Sequence, residues 1–217
     1  MKISVCIVED NENIRSALEQ IIMMDPHYKI AGSFSNAEDA LQTIPLANPD
    51  IVLMDINLGD GKSGIECVRY LRQKNPDILF MICTVYEDDE KIFDALSAGA
   101  NGYILKKTAP DKLLEAIKEL YEGGAPMSSQ IARKIVRAMQ NGQITEPAEK
   151  NQIKKSLRKL SGRENEILQL LANGLLYKEI AAHLKISSET VRKHVYHIYE
   201  KLHVANRVEA INKFFER

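Results

Sequence analysis

In the first half of the chain, short runs that are apolar on both faces alternate with longer stretches in which apolar residues recur every third or fourth position. The runs at 3–8, 29–34, 51–54, 79–83 and 103–105, among them ISVCIV and IVLM, predict β-strands. The stretches at 14–24, 37–44, 65–73, 89–98 and 111–121 predict amphipathic helices. Strands without a polar face belong in a parallel sheet covered by helices on both sides. Connections of this length fit right-handed crossovers. The expectation is an α/β, doubly wound five-stranded parallel sheet, whose ligand sites lie beyond the carboxyl ends of the strands.

Beyond residue 124 the strand pattern stops. A short helix capped by Ser128 or Ser129 is predicted up to Gln140. The polar stretch NGQITEPAEKNQ after it, with Gly142 and Pro147, reads as a flexible tether. Ser161-Gly-Arg-Glu164 then forms a capping box, Ile167, Leu168, Leu170 and Leu171 follow at helical spacing, and Gly174 ends the helix. A second helix over 177–184 is separated by KIS from a third that starts near Ser188, which makes a helix-turn-helix. On the third helix Val191, Val195, Ile198 and Leu202 form an apolar stripe, and Glu189, Arg192, Lys193 and Tyr196 occupy the other face. That division suits a recognition helix, held by its apolar side while long polar side chains enter the major groove. The domain organisation expected is residues 1–124, a linker helix and tether over 125–156, and an all-α helix-turn-helix domain over 157–217.

Charge adds a functional distinction between the two halves. Residues 1–124 carry a net −9 and residues 125–217 a net +8, with basic character building through KKSLRK at 154–159. A basic half of this kind is suited to a polyanion, because Lys and Arg supply the sequence-independent part of nucleic-acid affinity. Cys6, Cys67 and Cys83 sit in apolar runs without metal-ligand spacing and read as small buried hydrophobes, with neither a disulfide nor a zinc site expected. The opening MKISVCIVED lacks a signal-peptide cleavage pattern, and no apolar run approaches the roughly 18 residues that span a bilayer. The chain is expected in the cytoplasm, with no membrane partner.

Chemistry collects at the predicted strand ends. Glu9 and Asp10 follow the first strand, Asp55 the third, Thr84 the fourth and Lys106 the fifth. Clustered carboxylates raise one another's pKa unless a cation compensates, and a hard cation such as Mg²⁺ is the natural compensation. Asp55 at that rim is suited to attack a phosphoryl group, with Lys106 and the metal neutralising oxygen charge and Thr84 donating a hydrogen bond. The product would be an acyl phosphate.

The segments VED at 8–10, LMDI at 53–56, CTV at 83–85 and GYILKK at 102–107 resemble, in order and spacing, the receiver domain of bacterial two-component response regulators. The resemblance implies a flavodoxin-like sheet of order 2-1-3-4-5 over residues 1–124. It implies that Glu9, Asp10 and Asp55, with the backbone carbonyl of Asn57, hold Mg²⁺, and that Asp55 takes a phosphoryl group from a sensor histidine kinase. Lys106 pairs with that group, and Thr84 and Tyr103 resemble the switch pair, with Tyr86 placed to share or modify that role. The acidic run at 87–90 reads instead as a favourable charge bias at a helix N-terminus. Receivers usually carry proline four residues after the phosphorylated aspartate and glycine at eight. Here Gly59 replaces the proline and Gly64 stands at nine, so the loop is one residue longer and its effect on phosphate lifetime is open.

LSGRENEILQLLANG, YKEIAAHLKIS, ETVRKHVYHIYEKLHV and NRVEAI together resemble the LuxR-type DNA-binding domain. Receiver plus this domain is the architecture of the NarL/FixJ family. The resemblance implies Arg192, Lys193 and Tyr196 as base-edge readers and Lys178, Ser188, Thr190, His197 and Lys201 as phosphate contacts. His194 is read as a structural residue. Leu176 stands where the family often has a small polar residue, which weakens a helix cap. The partners implied are the kinase, double-stranded promoter DNA, a second copy of the chain when phosphorylated, and RNA polymerase.

Two other classes compete. Phosphohydrolases that form a phospho-aspartate use a second acid two residues on, and here that residue is Asn57, so turnover on a metabolite is not expected. No G-x-x-x-x-G-K-[ST] loop is present. A receiver whose helical domain docks a protein is disfavoured by the set Thr190, Arg192, Lys193 and Tyr196. The function expected is a phosphorylation-controlled transcription factor rather than an enzyme.

Overall fold

The computed structural model describes residues 2–140, 160–202, 204 and 206–215, with the backbone alone at 138–140. The expected tether and the basic run at 154–159 therefore lie outside the described residues. The chain divides into two compact units.

The first unit alternates strand and helix: β1 (Ile3–Val8), α1 (Glu12–Met23), β2 (Tyr28–Phe34), α2 (Ala37–Ala47), β3 (Ile51–Met54), α3 (Gly64–Lys74), β4 (Leu79–Thr84), α4 (Asp89–Ser97), β5 (Gly102–Leu105) and α5 (Pro110–Tyr121). Its strands form one five-stranded sheet in the order β2-β1-β3-β4-β5, every pairing parallel. The inner strands are apolar on both sides because both sides are covered. Cys6, Val8, Val52, Met54, Phe80 and Ile82 pack with residues of α2, α3 and α4. Val5, Ile7, Ile51, Leu53, Met81 and Cys83 pack with α1 and α5. Burial pushes the thiols of Cys6 and Cys83 up to about 12, as suits small core residues.

Helix starts follow local chemistry. Asn11 accepts from the amides of Asn13 and Ile14, which begins α1 two residues before its apolar pattern. Ser63 and Glu66 form a reciprocal capping box on α3. The helix expected up to Gln140 is α6 (Ser129–Gln140), and the Ser128 hydroxyl accepts from the Ile131 amide at its start. It is more than a spacer. Its apolar residues Ile131 and Ile135 are buried in the same cluster as Tyr103, Ile92 and Ala95, so residues 125–137 belong to the first unit.

The second unit contains α7 (Gly162–Ala172), α8 (Tyr177–Leu184), α9 (Ser188–Leu202) and α10 (Arg207–Phe215). Ser161 and Glu164 make the capping box on α7. The apolar stripe Val191, Val195, Ile198 and Leu202 of α9 is buried against Ile167, Leu168, Leu171 and Ile180. Leu176 at the start of α8 offers no side-chain acceptor, and only the Glu179 carboxylate reaches back, to the Leu176 amide at 2.7 Å. Helix α10 went unrecognised in the pattern because Ala210 is its one wholly buried apolar residue. The signal is Asn206, whose side-chain oxygen accepts from the Glu209 amide at 3.0 Å while its side-chain nitrogen donates to the Glu209 carboxylate at 3.0 Å.

Candidate phosphoacceptor site and nucleic-acid interface

The strand ends place the acids. Ladder hydrogen bonds continue one residue past the strands, from the Asp55 amide to the Val8 carbonyl at 2.9 Å and from the Lys106 amide to the Thr84 carbonyl at 2.9 Å. Glu9, Asp10, Asp55 and Lys106 thereby converge on one cleft, shared with Asn57, Val85 and Tyr86. Glu9 and Asp55 are almost wholly buried, at 1% and 4% exposure, so their charges need partners inside the protein.

Lys106 supplies one. Its Nζ lies 2.8 Å from Asp55 Oδ2 and 2.6 Å from Glu9 Oε2. Burial and the neighbouring Asp55 push the Glu9 carboxyl above its ordinary value, against the pull of Lys106. Burial works against the Lys106 ammonium, but its bonds to Asp55 and Glu9 outweigh it and hold the pKa up. One ammonium for three acids leaves the cluster short of positive charge. Carboxylate oxygens of Glu9, Asp10 and Asp55 lie within 4.8 Å of one another, a spacing that a divalent cation can bridge.

Two further groups fit the same chemistry. Thr84 Oγ1 is buried and has no hydrogen-bond partner, which leaves a donor for an incoming oxygen. The Tyr103 ring is fully buried, and its hydroxyl donates to the Tyr86 carbonyl at 2.9 Å.

The longer loop after Asp55 keeps its anchor. A Cβ on Gly64 would stand 1.8 Å from the Asp55 carbonyl oxygen, so only glycine fits there, and the Gly64 amide donates to the Ile56 carbonyl at 2.9 Å. Ile56 and Leu58 are buried, whereas residues 59–62 are exposed. Gly59 has a φ of 76°, which proline cannot adopt.

On α9, Lys193 and His197 are exposed and Arg192, His194 and Tyr196 are half-buried. Lys178 is also exposed, on α8. Ser187 rather than Ser188 caps α9, its hydroxyl accepting from the Thr190 amide at 3.0 Å. Glu200 accepts from the Tyr196 hydroxyl at 2.8 Å and lies 3.3 Å from His197 Nδ1. Lys201 has a different setting from the other expected phosphate contacts. Its ammonium lies 2.7 Å from both carboxylate oxygens of Glu164, tying α9 to the start of α7. Burial opposes ionisation of Glu164, but Lys201 and Ser161 prevail and hold its carboxyl below the ordinary value.

Comparisons with known proteins show the family. Residues 5–118 match the response regulator receiver domain, and residues 158–214 match the bacterial regulatory proteins of the luxR family. The chain belongs to the two-component response regulators of the NarL/FixJ type, DNA-binding transcription regulators rather than classical enzymes. It is 30% identical to the transcriptional regulatory protein DegU of Brevibacillus brevis, over 97% of this chain and 92% of that protein. It is 32% identical to the nitrate/nitrite response regulator protein homolog of Haemophilus influenzae, over 100% of this chain and 98% of that protein. The crystal structure of the response regulator ChrA, from a heme-sensing two-component system, is 30% identical with a TM-score of 0.53, over 99% of this chain and 97% of that one. Among the described residues, no helix is long and apolar enough to cross a membrane.

Proposed function

We propose that a sensor histidine kinase transfers a phosphoryl group to Asp55, and that this modification controls promoter binding. A carboxylate oxygen of Asp55 attacks phosphorus, the bond from phosphorus to the donor nitrogen breaks, and the electron pair leaves with the imidazole. Lys106 already touches Asp55 and neutralises charge on the transferring oxygens. The Thr84 hydroxyl donates to one of them. Mg²⁺ would be held by Glu9, Asp10, Asp55 and the Asn57 carbonyl, and when bound it supplies further charge neutralisation. Asn57 stands where phosphohydrolases carry their second acid, so in this reading the acyl phosphate is lost by slow autodephosphorylation and not by turnover on a metabolite.

The observation that carries this reading is the buried Asp55 carboxylate paired with Lys106 at the strand ends, in a cluster of three acids that share one ammonium. In this reading residues 1–124, with the segment 125–137 packed on them, receive the signal, and residues 157–217 bind double-stranded DNA in the cytoplasm. Arg192, Lys193 and Tyr196 read bases, while Lys178, Ser188, Thr190 and His197 contact phosphates, with Lys201 joining them from its ion pair. A homodimer forms on phosphorylation and presents two recognition helices, with RNA polymerase engaged at the promoter.

Intact-mass analysis with a small phosphodonor and Mg²⁺, on wild type and Asp55→Ala, tests the chemistry. We expect a gain of one phosphoryl group on wild type alone. A gain on both chains, or on neither, would sink the assignment of Asp55.

A further inference from the structure

The segment over 125–137 makes contacts beyond those a spacer needs. It lies along the outer strand of the sheet, where the Tyr103 amide donates to the Pro126 carbonyl at 3.0 Å and Tyr103 bridges Met127 in parallel fashion. Gly102 admits this approach, since a Cβ there would stand 3.0 Å from the Pro126 side chain. Ile131 and Ile135 then bury themselves in the cluster that contains the Tyr103 ring. The segment both covers an open strand edge and seals an aromatic ring.

Its polar face grips the loop after β4. Gln130 Nε2 lies 2.6 Å from Glu87 Oε2, and Lys134 donates to the Glu87 carbonyl and lies 2.8 Å from Asp89 Oδ1. Lys107, just beyond β5, pairs with the other Glu87 oxygen. Glu87 directly follows Tyr86, whose carbonyl accepts from Tyr103, and stands three residues after Thr84. The loop is therefore held from the α6 side and from the Tyr103 side. The Thr84 hydroxyl just before it is buried and unpartnered, which is unfavourable until a partner oxygen arrives.

We propose that residues 125–137 act as an internal clamp that fixes Tyr103 and the loop 84–89 in one arrangement before any phosphoryl group arrives, so that clamp docking and phosphorylation reinforce each other. The inference rests on Asp55 being the phosphoacceptor. A phosphoryl group would meet a loop that is already ordered, with the Thr84 hydroxyl still without a partner, and so without the cost of ordering the loop. By reciprocity, the phosphoryl group would tighten the docking of α6.

The test is hydrogen exchange in the full chain, followed by mass spectrometry on peptides covering 127–137, with and without phosphodonor plus Mg²⁺. Wild type is compared with the double variant Gln130→Ala, Lys134→Ala. Exchange of α6 is expected to slow about fivefold or more on phosphorylation. In the unphosphorylated double variant, which loses Gln130–Glu87 and both Lys134 contacts, it is expected to quicken about tenfold or more, since one charged hydrogen bond alone accounts for about that factor. Phosphoryl occupancy at limiting donor should also fall in the variant by about fivefold or more. Faster α6 exchange on phosphorylation overturns the coupling, as does an unchanged rate in a chain whose mass shows the added group. Without any mass gain the phosphoacceptor reading itself fails, and the clamp is then judged on the unphosphorylated pair alone. Quicker exchange in the variant supports it, and equal exchange overturns it.

Discussion

At the sheet rim, Glu9 and Asp55 are almost wholly buried and share one ammonium, whereas on α9 Lys193 and His197 stand in solvent beside half-buried Arg192 and Tyr196. Both places are polar, and in the proposed function both meet phosphate chemistry. The rim is built from residues far apart in sequence, held by ladder hydrogen bonds at the ends of the strands. The α9 face comes from a single helix whose other side is core. A buried cluster couples its chemistry to stability, because removing one member leaves another charge unpaired in a medium of low dielectric. An exposed face carries little stability and is free to spend its charge on a ligand. The two regions should therefore answer mutation in different currencies.

The sharpest break would come at Lys106. Lys106→Met leaves Glu9 and Asp55 facing each other, and without divalent cation we expect a loss of about 3–5 kcal/mol in denaturant titration. Added Mg²⁺ should restore part of that loss, because the cation replaces the missing positive charge. A variant as stable as wild type in a chelator would place the rim with the exposed face.

Within the second unit, Glu164 is a buried exception to the exposed pattern. Glu164→Gln is expected to cost about 1.5–3 kcal/mol, since the charged bonds to Lys201 are lost. The pH dependence follows from the sign of its shift. The folded carboxyl titrates below the ordinary 4.5, so its stabilisation is fully present above that value and is lost as pH falls through the folded one. Thermal unfolding of wild type and variant should converge over that acidic range.

On the open face of α9 the expected effect is on binding. Lys193→Ala should leave the melting temperature nearly unchanged while weakening DNA affinity. As a base reader, it should cost about 1–3 kcal/mol and relax sequence preference at one position. If the loss were instead uniform across sequences, with the salt slope lowered by about one, Lys193 would be a phosphate contact. Fluorescence anisotropy over a salt series separates the two.

The smallest effect tests the weak cap of α8. Leu176→Ser supplies the missing acceptor beside the existing Glu179 bond and should stabilise the second unit by about 1 kcal/mol, read by thermal unfolding.

Much of this molecule was legible because its signals are local. Strand and helix periods, the capping box at Ser161, and acids placed directly after apolar strands all lie within a few residues of one another. The departure at Gly59 and Gly64 was visible too, but its meaning was not. The Gly64 contact with the Asp55 carbonyl is made across a folded loop, and it shows why the later glycine suffices.

The alternation of strands and helices in the first unit, the helix-turn-helix of the second and the two-domain plan were determined by the sequence alone, because hydrophobic period and capping chemistry act over short stretches of chain. Only the tertiary structure decided that Lys106 bridges Glu9 as well as Asp55, that Thr84 is left without a partner, and that Lys201 is spoken for by Glu164. It also decided that α6 belongs to the first unit. These are pairings between residues tens of positions apart. Their geometry is set by how whole elements pack, which no local pattern encodes.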